Sequence, residues 1–178
     1  LMRWAIQNKV PALGVTDDNN MFAALELSET LAGEGVQPII ASTVSTLLSD
    51  DPNEETGDLG LFVQDETGYL NLSKISSQGF LESPRSTTCV FLDFVLENTE
   101  GLICTTGGGD GTLARLCANG KTAEAKAYLQ RLSTAFPDRL YIELQRHGRD
   151  IEDRAEETIV ELAYELDLPL VATNEARF

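Results

Sequence analysis

Side chains that could bind a metal ion or activate a water molecule follow several short apolar segments of this sequence. Four groups stand out: Thr16, Asp17 and Asp18; Ser42 and Thr43; Glu143 and His147; and Thr173, Asn174, Glu175 and Arg177. If the apolar segments are parallel strands, these groups face one end of the sheet, where α/β proteins build their sites. Carboxylates and a histidine at that end could hold a divalent metal and activate water for phosphate ester hydrolysis.

The residue count argues against such a hydrolase. The chain contains one histidine, whereas metal-dependent hydrolases use several, and Arg177 would place a positive charge beside a bound metal. We therefore expect a polar rim without a metal. A metal site with Asp17, Asp18, His147 and Glu175 as ligands remains the alternative. In purely structural terms, the two aspartates could cap the turn that follows them, and His147 could be an ordinary surface residue of a loop.

Two further segments resemble ligand-binding loops but lack the required residues. The glycine run 107–111 precedes a predicted helix at 112–118, and backbone amides at a helix start can bind phosphate. The run lacks the Gly-Lys-Ser/Thr ending of a P-loop, and Asp110 would repel an anion. The acidic segment 49–58 lacks the ordered ligand spacing of calcium loops. We expect a plain helix start and a solvated acidic turn.

The elements that position these residues begin with a β-α-β unit near the start of the chain. Residues 12–15 and 36–41 are short apolar runs, typical of buried strands. Between them, Asn20 is the predicted N-cap of a helix that Gly33 and Gly35 end. A right-handed crossover would make the two strands parallel.

The same alternation of strand and helix continues to the end of the chain. Strands are predicted at 60–63, 102–105, 140–144 and 168–172, the last one buried. Helices are predicted at 2–8, 66–80, 112–118, 125–136 and 151–166, and 90–96 is a short helix for which a strand is also open. On the helix at 66–80, the expected apolar side is Tyr69, Leu70, Leu72 and Ile75. This order indicates a parallel α/β architecture, either a barrel or an open doubly wound sheet.

Composition limits the partners of the chain. Its 178 residues suffice for one domain with a core. Thirteen basic against 29 acidic side chains give a net charge of −16, which disfavours direct binding to nucleic acid or to an anionic membrane. The three cysteines form no Cys-x-x-Cys pair, which favours reduced thiols in a cytoplasmic protein. There is no secretory signal and no run long enough to span a bilayer.

Several motifs, taken in order, resemble one family. They are the segment Pro-Ala-Leu-Gly-Val-Thr-Asp-Asp-Asn-Asn-Met-Phe at 11–22, Gln-Pro-Ile-Ile at 37–40, Asp-Glu-Thr-Gly-Tyr-Leu-Asn-Leu at 65–72, Glu-Gly-Leu-Ile at 100–103, Phe-Pro-Asp-Arg-Leu-Tyr-Ile-Glu-Leu-Gln-Arg-His-Gly at 136–148, and Leu-Pro-Leu-Val-Ala-Thr-Asn at 168–174. They resemble the PHP (polymerase and histidinol phosphatase) domain, in the form that opens bacterial replicative DNA polymerases. The resemblance covers nearly the whole chain.

This resemblance implies a distorted (βα)7 barrel with a metal site at the strand ends. Residues 1–178 would be a single PHP domain whose first strand, with its paired histidines, would precede Leu1, and whose polymerase domains would follow Phe178. Several family ligand positions differ here: Asp18, Thr43 and Asp58 stand where the family has other residues, as do Glu175 and Arg177 in the closing motif. Asp17 is followed by Asp18 and Asn19 rather than by the family's His-Gly, and only His147 clearly keeps a ligand type. The resemblance thus implies a degenerate site, with no metal and no catalytic residue expected.

The implied function is that of a scaffold within a DNA-directed DNA polymerase, a nucleotidyltransferase of DNA replication that uses magnesium in a domain outside this chain. The expected partners are the proofreading exonuclease subunit and the rest of the polymerase holoenzyme. Two alternatives stay open. One is an active metal-dependent phosphoesterase or pyrophosphatase, and the other is the PHP domain of an error-prone paralogue of the same polymerase.

Overall fold

The structure is a computed structural model that describes residues 2–174. It is a mixed α/β protein whose strands form one curled, half-barrel sheet. The strands are β1 (Ala12–Asp18), β2 (Gln37–Leu47), β3 (Gly57–Val63), β4 (Val90–Phe91), β5 (Leu102–Thr105), β6 (Leu140–Leu144) and β7 (Leu170–Ala172). Their order is β1-β2-β3-β5-β6-β7, and β4 pairs with β2. The prediction of a distorted barrel-type α/β fold is confirmed.

The helices lie between the strands along the chain. They are α1 (Met2–Gln7), α2 (Ala24–Gly33), α3 (Glu66–Leu81), α4 (Leu92–Leu96), α5 (Thr112–Ala118), α6 (Thr122–Ala135) and α7 (Asp150–Glu165), with one 3-10 turn at Gly108–Asp110. Segment 90–96, for which helix and strand were both open, is a two-residue strand followed by a short helix.

The sheet is not wholly parallel, which corrects the sequence prediction. Strands β1 and β2 are parallel, and so are β5, β6 and β7, but β3 is antiparallel to both β2 and β5. The physical reason is the connection between β2 and β3, which is only the loop 48–56. A parallel crossover needs about a dozen or more residues and usually a helix. The Glu54 carboxylate closes this loop by accepting hydrogen bonds from the Leu48 and Ser49 amides at 2.7 and 2.8 Å.

The start of α2 differs from the prediction because nearby side chains use the backbone amides differently. The helix begins at Ala24, and Asn20 is not its N-cap. Asn20 instead accepts a hydrogen bond from the Phe22 amide at 3.0 Å, which forms a turn before the helix. The Ala23 amide donates to Asp17 Oδ2 at 3.3 Å. Gly33 ends the helix, as predicted.

The main core lies between the sheet and helices α3 to α7, and a smaller cluster of Leu27, Leu31 and Val36 joins α2 to β2. Two predictions about burial are wrong. On α3, Leu72 and Ile75 are buried, but Leu70 is 62% exposed and Tyr69 is also exposed, because the helix presents that side to solvent. Strand β7 begins at Leu170 rather than at residue 168 and is partly exposed, since in the described range it pairs only with β6.

Candidate functional site at the strand ends

Polar side chains from separate strands meet at a cavity of about 310 Å³. Asp18 of β1, Thr43 of β2 and Asp58 of β3 line it, together with Glu143 of β6 and, after β7, Thr173 and Asn174. The pairing of β1 with β2 sets Asp18 beside Thr43. The structure therefore brings together the strand-end groups singled out in the sequence, although β3 enters the cavity from the opposite direction.

Asp17 does not lie in this cavity. Successive side chains on a strand point to opposite faces, so Thr16 and Asp18 face the cavity while Asp17 faces α2. There its Oδ2 accepts the Ala23 amide. Asp17 caps the turn before the helix, the structural role that the sequence left open for it, and Asp18 is the aspartate placed to meet a ligand.

The single histidine lies beside the cavity and is held by protein groups through both ring nitrogens. His147 Nδ1 is 3.1 Å from Glu152 Oε1, and Nε2 is 2.9 Å from Asn174 Oδ1. The His147 backbone amide also donates to Glu152 Oε2 at 2.7 Å. An imidazole with both nitrogens hydrogen-bonded in this way must give up a partner before it can ligate a metal ion.

Glu152 is the buried acceptor that fixes this loop at the start of α7. Burial acts to raise the pKa of its carboxyl group. Hydrogen bonds from the His147 and Arg149 backbone amides, then from the His147 ring, outweigh burial and lower the pKa below the ordinary value. Glu152 is therefore a charged carboxylate at neutral pH, saturated by its own loop.

Glu143 is the second carboxylate saturated from within. It accepts hydrogen bonds from the Gly107 amide at 3.1 Å, from Gln145 Nε2 at 3.2 Å and from the Thr173 hydroxyl. Burial raises the pKa of the Cys104 thiol, and the negative charge of Glu143 raises it further. Sequence reasoning missed Gln145, yet its two-residue spacing from Glu143 was a usable signal, because it places both side chains at the cavity.

Two further aspartates at the cavity have protein partners. Asp110 forms a two-point ion pair with Arg149, with Nη1–Oδ2 at 2.9 Å and Nη2–Oδ1 at 2.6 Å. Asp58 Oδ1 accepts a hydrogen bond from Ser45 Oγ at 2.8 Å. The pairing of Asp110 with Arg149 was not predicted, since the two residues are far apart in sequence and nothing local links them.

The cavity is strongly acidic, but its carboxylates do not converge on a point. Asp18, Asp58, Asp110 and Glu143 line it, and within residues 2–174 no lysine or arginine does. In that same part of the chain, no three histidine, cysteine, aspartate or glutamate side chains are grouped closely enough to hold a metal ion. Glu175 and Arg177 lie outside the described residues.

Comparison with known proteins identifies the family. The PHP domain model matches residues 1–147, and the chain belongs to the PHP domain family, which confirms the resemblance read from the motifs. A solved structure of a provisionally assigned metal-dependent phosphoesterase from Bifidobacterium adolescentis has the same fold, with a TM-score of 0.54 and 10% identity over 96% of this chain and 79% of that one.

Within the family, the curated relatives define a narrower group. The chain is 44% identical over 179 residues to DNA polymerase III subunit alpha of Caulobacter vibrioides, covering 98% of this chain and 16% of that protein. It is 34% identical to DNA polymerase III subunit alpha of Pseudomonas fluorescens, covering 95% of this chain and 14% of that protein. The chain thus spans about a sixth of the length of these relatives. Among the helices of the described residues, none is long and apolar enough to cross a membrane.

Proposed function

We propose that this chain is the PHP domain of a bacterial replicative DNA polymerase alpha subunit, a metal-free scaffold that docks the proofreading exonuclease subunit in the cytoplasm. DNA synthesis itself, with its magnesium ions, would belong to parts of the polymerase outside residues 1–178. The single observation that carries the metal-free part is the bonding of the ligand-type groups. His147 has both ring nitrogens occupied and Glu143 accepts three hydrogen bonds from the protein.

Metal binding at this site is unfavourable because it would leave hydrogen-bond donors of the protein without acceptors. A metal ion that replaced these hydrogen bonds would strand donors such as the Gly107 amide and Gln145 Nε2, and a buried donor left unpaired costs about 1–3 kcal/mol. A metal also lowers the pKa of bound water toward neutrality, which is what makes hydroxide available at pH 7. Without that ion, the domain has no ready nucleophile for phosphate ester or pyrophosphate hydrolysis.

Elemental analysis of protein purified without chelator tests this proposal. We expect less than about 0.1 zinc or manganese ion per chain. The rate of phosphate release from phosphate monoesters or pyrophosphate should not exceed the rate seen with an Asp18→Ala variant. Asp18 is the matched site because it lies on the rim of the cavity, whereas Asp17 caps a turn. About one metal per chain, with turnover that Asp18→Ala abolishes, would favour an active phosphoesterase instead.

The active phosphoesterase is the second candidate, and two observations favour it. Four carboxylates line the cavity, and the fold is shared with a protein provisionally assigned that activity. A PHP domain of an error-prone polymerase paralogue is the remaining alternative. It makes the same metal-site predictions, and the sequence that follows residue 178 would separate it from the replicative enzyme.

The docking part of the proposal rests on the family resemblance and on an exposed aromatic pair. The rings of Phe22 and Phe80 lie 5.8 Å apart, and these side chains are 79% and 51% exposed. The exposed carboxylates of Glu26 and Glu82 lie close to them in sequence. Protein interfaces combine apolar anchors at the centre with a charged rim, so we expect the exonuclease subunit to offer apolar side chains flanked by basic ones.

A pull-down or calorimetric titration with the exonuclease subunit tests docking. Phe22→Ala should weaken binding at least about tenfold, since an anchor residue contributes about 2 kcal/mol or more. Tyr164→Ala is the control, because Tyr164 is 78% exposed but lies on α7. No binding by a folded chain at tens of micromolar would reject docking. Equal weakening by both variants would reject this surface.

The charge of the chain bears on nucleic acid as a partner. A net charge of −16 opposes association with a polyanion. We expect no binding of primed duplex DNA by fluorescence anisotropy at physiological salt, with a basic DNA-binding protein as the positive control. Micromolar binding that weakens steeply with added salt would contradict this expectation.

A further inference from the structure

We propose that Asn19 is a positioning residue for the exposed aromatic pair of Phe22 and Phe80, and that it prepares this surface for a partner protein. The inference rests on the proposed function, because it takes the pair to be part of the surface that docks the exonuclease subunit. It depends on three features of Asn19: its backbone conformation, the hydrogen bonds of its side chain, and its hydrogen bond to the helix that carries Phe80.

Asn19 is the residue at which the chain turns away from β1. Its φ angle is 59°, a left-handed conformation that asparagine adopts more readily than most other residues with a side chain. Its amide donates to the Thr43 carbonyl at 2.6 Å, directly after the last β1–β2 pair of Asp18 with Thr43. The direction of the turn 19–23, in which Phe22 lies, is therefore set at this residue.

The side chain of Asn19 is held by Ser45 of β2 through both of its polar atoms. Oδ1 accepts a hydrogen bond from the Ser45 amide at 2.8 Å, and Nδ2 donates to Ser45 Oγ at 3.1 Å. The Ser45 hydroxyl in turn donates to Asp58 Oδ1 of β3 at 2.8 Å. Because a backbone amide can only donate, the Ser45 amide fixes which way the Asn19 side chain is oriented. The turn is thus tied to two strands of the sheet.

The carbonyl of Asn19 binds the helix that carries the second aromatic residue. Ser76 Oγ of α3 donates to the Asn19 carbonyl at 3.2 Å. Ser76 lies about one helical turn before Phe80, so the two residues share a side of α3. Asn19 therefore contacts both elements that carry the aromatic pair, the turn of Phe22 and the helix of Phe80.

The aromatic pair needs such support because both of its rings are largely exposed. A contact between two exposed rings does little against the conformational entropy of the segments that carry them. The two hydrogen bonds that shape the turn itself lie within residues 17–23, so neither ties it to α3. A docking surface that is ordered before binding loses less entropy when the partner arrives, which strengthens the complex. Asn19 should therefore change the affinity without contacting the partner.

The test is a calorimetric titration of the exonuclease subunit into the full-length protein to which this chain belongs. Asn19→Gly keeps the positive φ without strain and removes both bonds to Ser45, so we expect about fivefold weaker binding. Ser76→Ala removes only the bond to Asn19 and should weaken binding about twofold or more. Thr99→Val is the control, because it removes a side-chain hydrogen bond elsewhere, to the Ala135 carbonyl at 2.7 Å. It should leave the affinity unchanged.

Two further readouts separate positioning of Phe22 from a general loss of stability. In a double-mutant cycle, Asn19→Gly should weaken binding by less than about twofold once Phe22→Ala is present, because the residue it positions is gone. Hydrogen exchange followed by mass spectrometry on the free protein should be at least about threefold faster in peptides covering residues 20–25 of Asn19→Gly. Exchange in peptides covering α5 should not change.

The outcome is distinguishable from failure of the proposed function. If the wild-type protein binds and Asn19→Gly binds equally well, the positioning role is wrong and docking stands. The same conclusion follows if Asn19→Gly weakens binding equally with and without Phe22, or if exchange in residues 20–25 is unchanged. No binding by the wild-type protein at tens of micromolar would overturn the docking function and this inference together.

Discussion

Replacing Glu152 should destabilise the chain more than any other single change of one carboxylate near the candidate site. Its side chain is 6% exposed and accepts three hydrogen bonds, from the His147 amide at 2.7 Å, the His147 ring at 3.1 Å and the Arg149 amide at 3.3 Å. These bonds join the loop after β6 to the first turn of α7, and they hold the imidazole in place.

The size of the effect follows from what each substitution leaves unpaired. In Glu152→Gln the amide oxygen can still accept the two backbone N–H groups, and the His147 ring can change tautomer to accept from the amide nitrogen. Only the charge assistance is lost, at a cost of about 1–2 kcal/mol. In Glu152→Ala all three donors lose their acceptor. Part of this cost is offset because a charged carboxylate no longer has to be buried, so we expect the free energy of unfolding to fall by about 3 kcal/mol.

The pH dependence has a definite sign. Because the pKa of Glu152 is lowered in the folded chain, its contribution to stability is present above the unfolded value, near 4.5, and is lost as the pH falls through the folded value. The wild-type chain should therefore lose more stability below pH 4.5 than Glu152→Gln does. At pH 7 the difference between the two should be largest.

Urea denaturation followed by circular dichroism measures these differences at pH 7 and at several lower pH values. Glu157→Gln is the matched control, because Glu157 lies on the same helix and is exposed. It should change the free energy of unfolding by less than about 0.5 kcal/mol. If Glu152→Ala costs no more than the control, or if Glu152→Gln keeps the full acid dependence, the account of Glu152 as the acceptor that orders this loop is wrong.

Two further predictions concern packing and thiol reactivity. Gly57→Ala should cost about 3 kcal/mol or more in urea unfolding, because its Cβ would lie 2.0 Å from Thr112 Oγ1. Gly33→Ala, where a Cβ meets no atom within 4 Å, should be neutral or stabilise the chain by up to about 1 kcal/mol. Burial raises the pKa of Cys117 to about 11 and that of Cys104 still further. Both thiols should therefore resist iodoacetamide at pH 8 until urea unfolds the chain, and fast labelling of the native protein would refute their burial.

Much of the fold was predictable because strand and helix periodicities are local. Strand β5 and helix α5 have the predicted bounds, and the parallel pairing of β1 with β2 follows from a standard crossover. The direction of β3 was not predicted, because the alternation of strands and helices along the chain does not specify whether a strand is parallel to its neighbours. The shortness of the loop 48–56 already carried the answer, since it leaves no room for a helical crossover.

The sequence predicted where the site lies better than it predicted which side chains line it. The rule that polar groups gather at strand ends found the cavity, but it could not tell Asp17 from Asp18. That choice depends on how far β1 continues, and the pairing of Asp18 with Thr43 decides it. The partners that saturate the acidic groups, such as Arg149 for Asp110, come from distant parts of the chain. No local pattern encodes such tertiary pairs.

The cavity has two unlike sides, and this asymmetry decides where a ligand would bind. Around β6 and β7 the polar groups are satisfied by one another, as Glu143 and His147 show. Across the cavity, Asp18 and Thr105 lack side-chain partners among the described residues. An incoming group gains least where hydrogen bonds already exist and most where buried or charged atoms are unpaired. A ligand should therefore contact the β1 and β5 side.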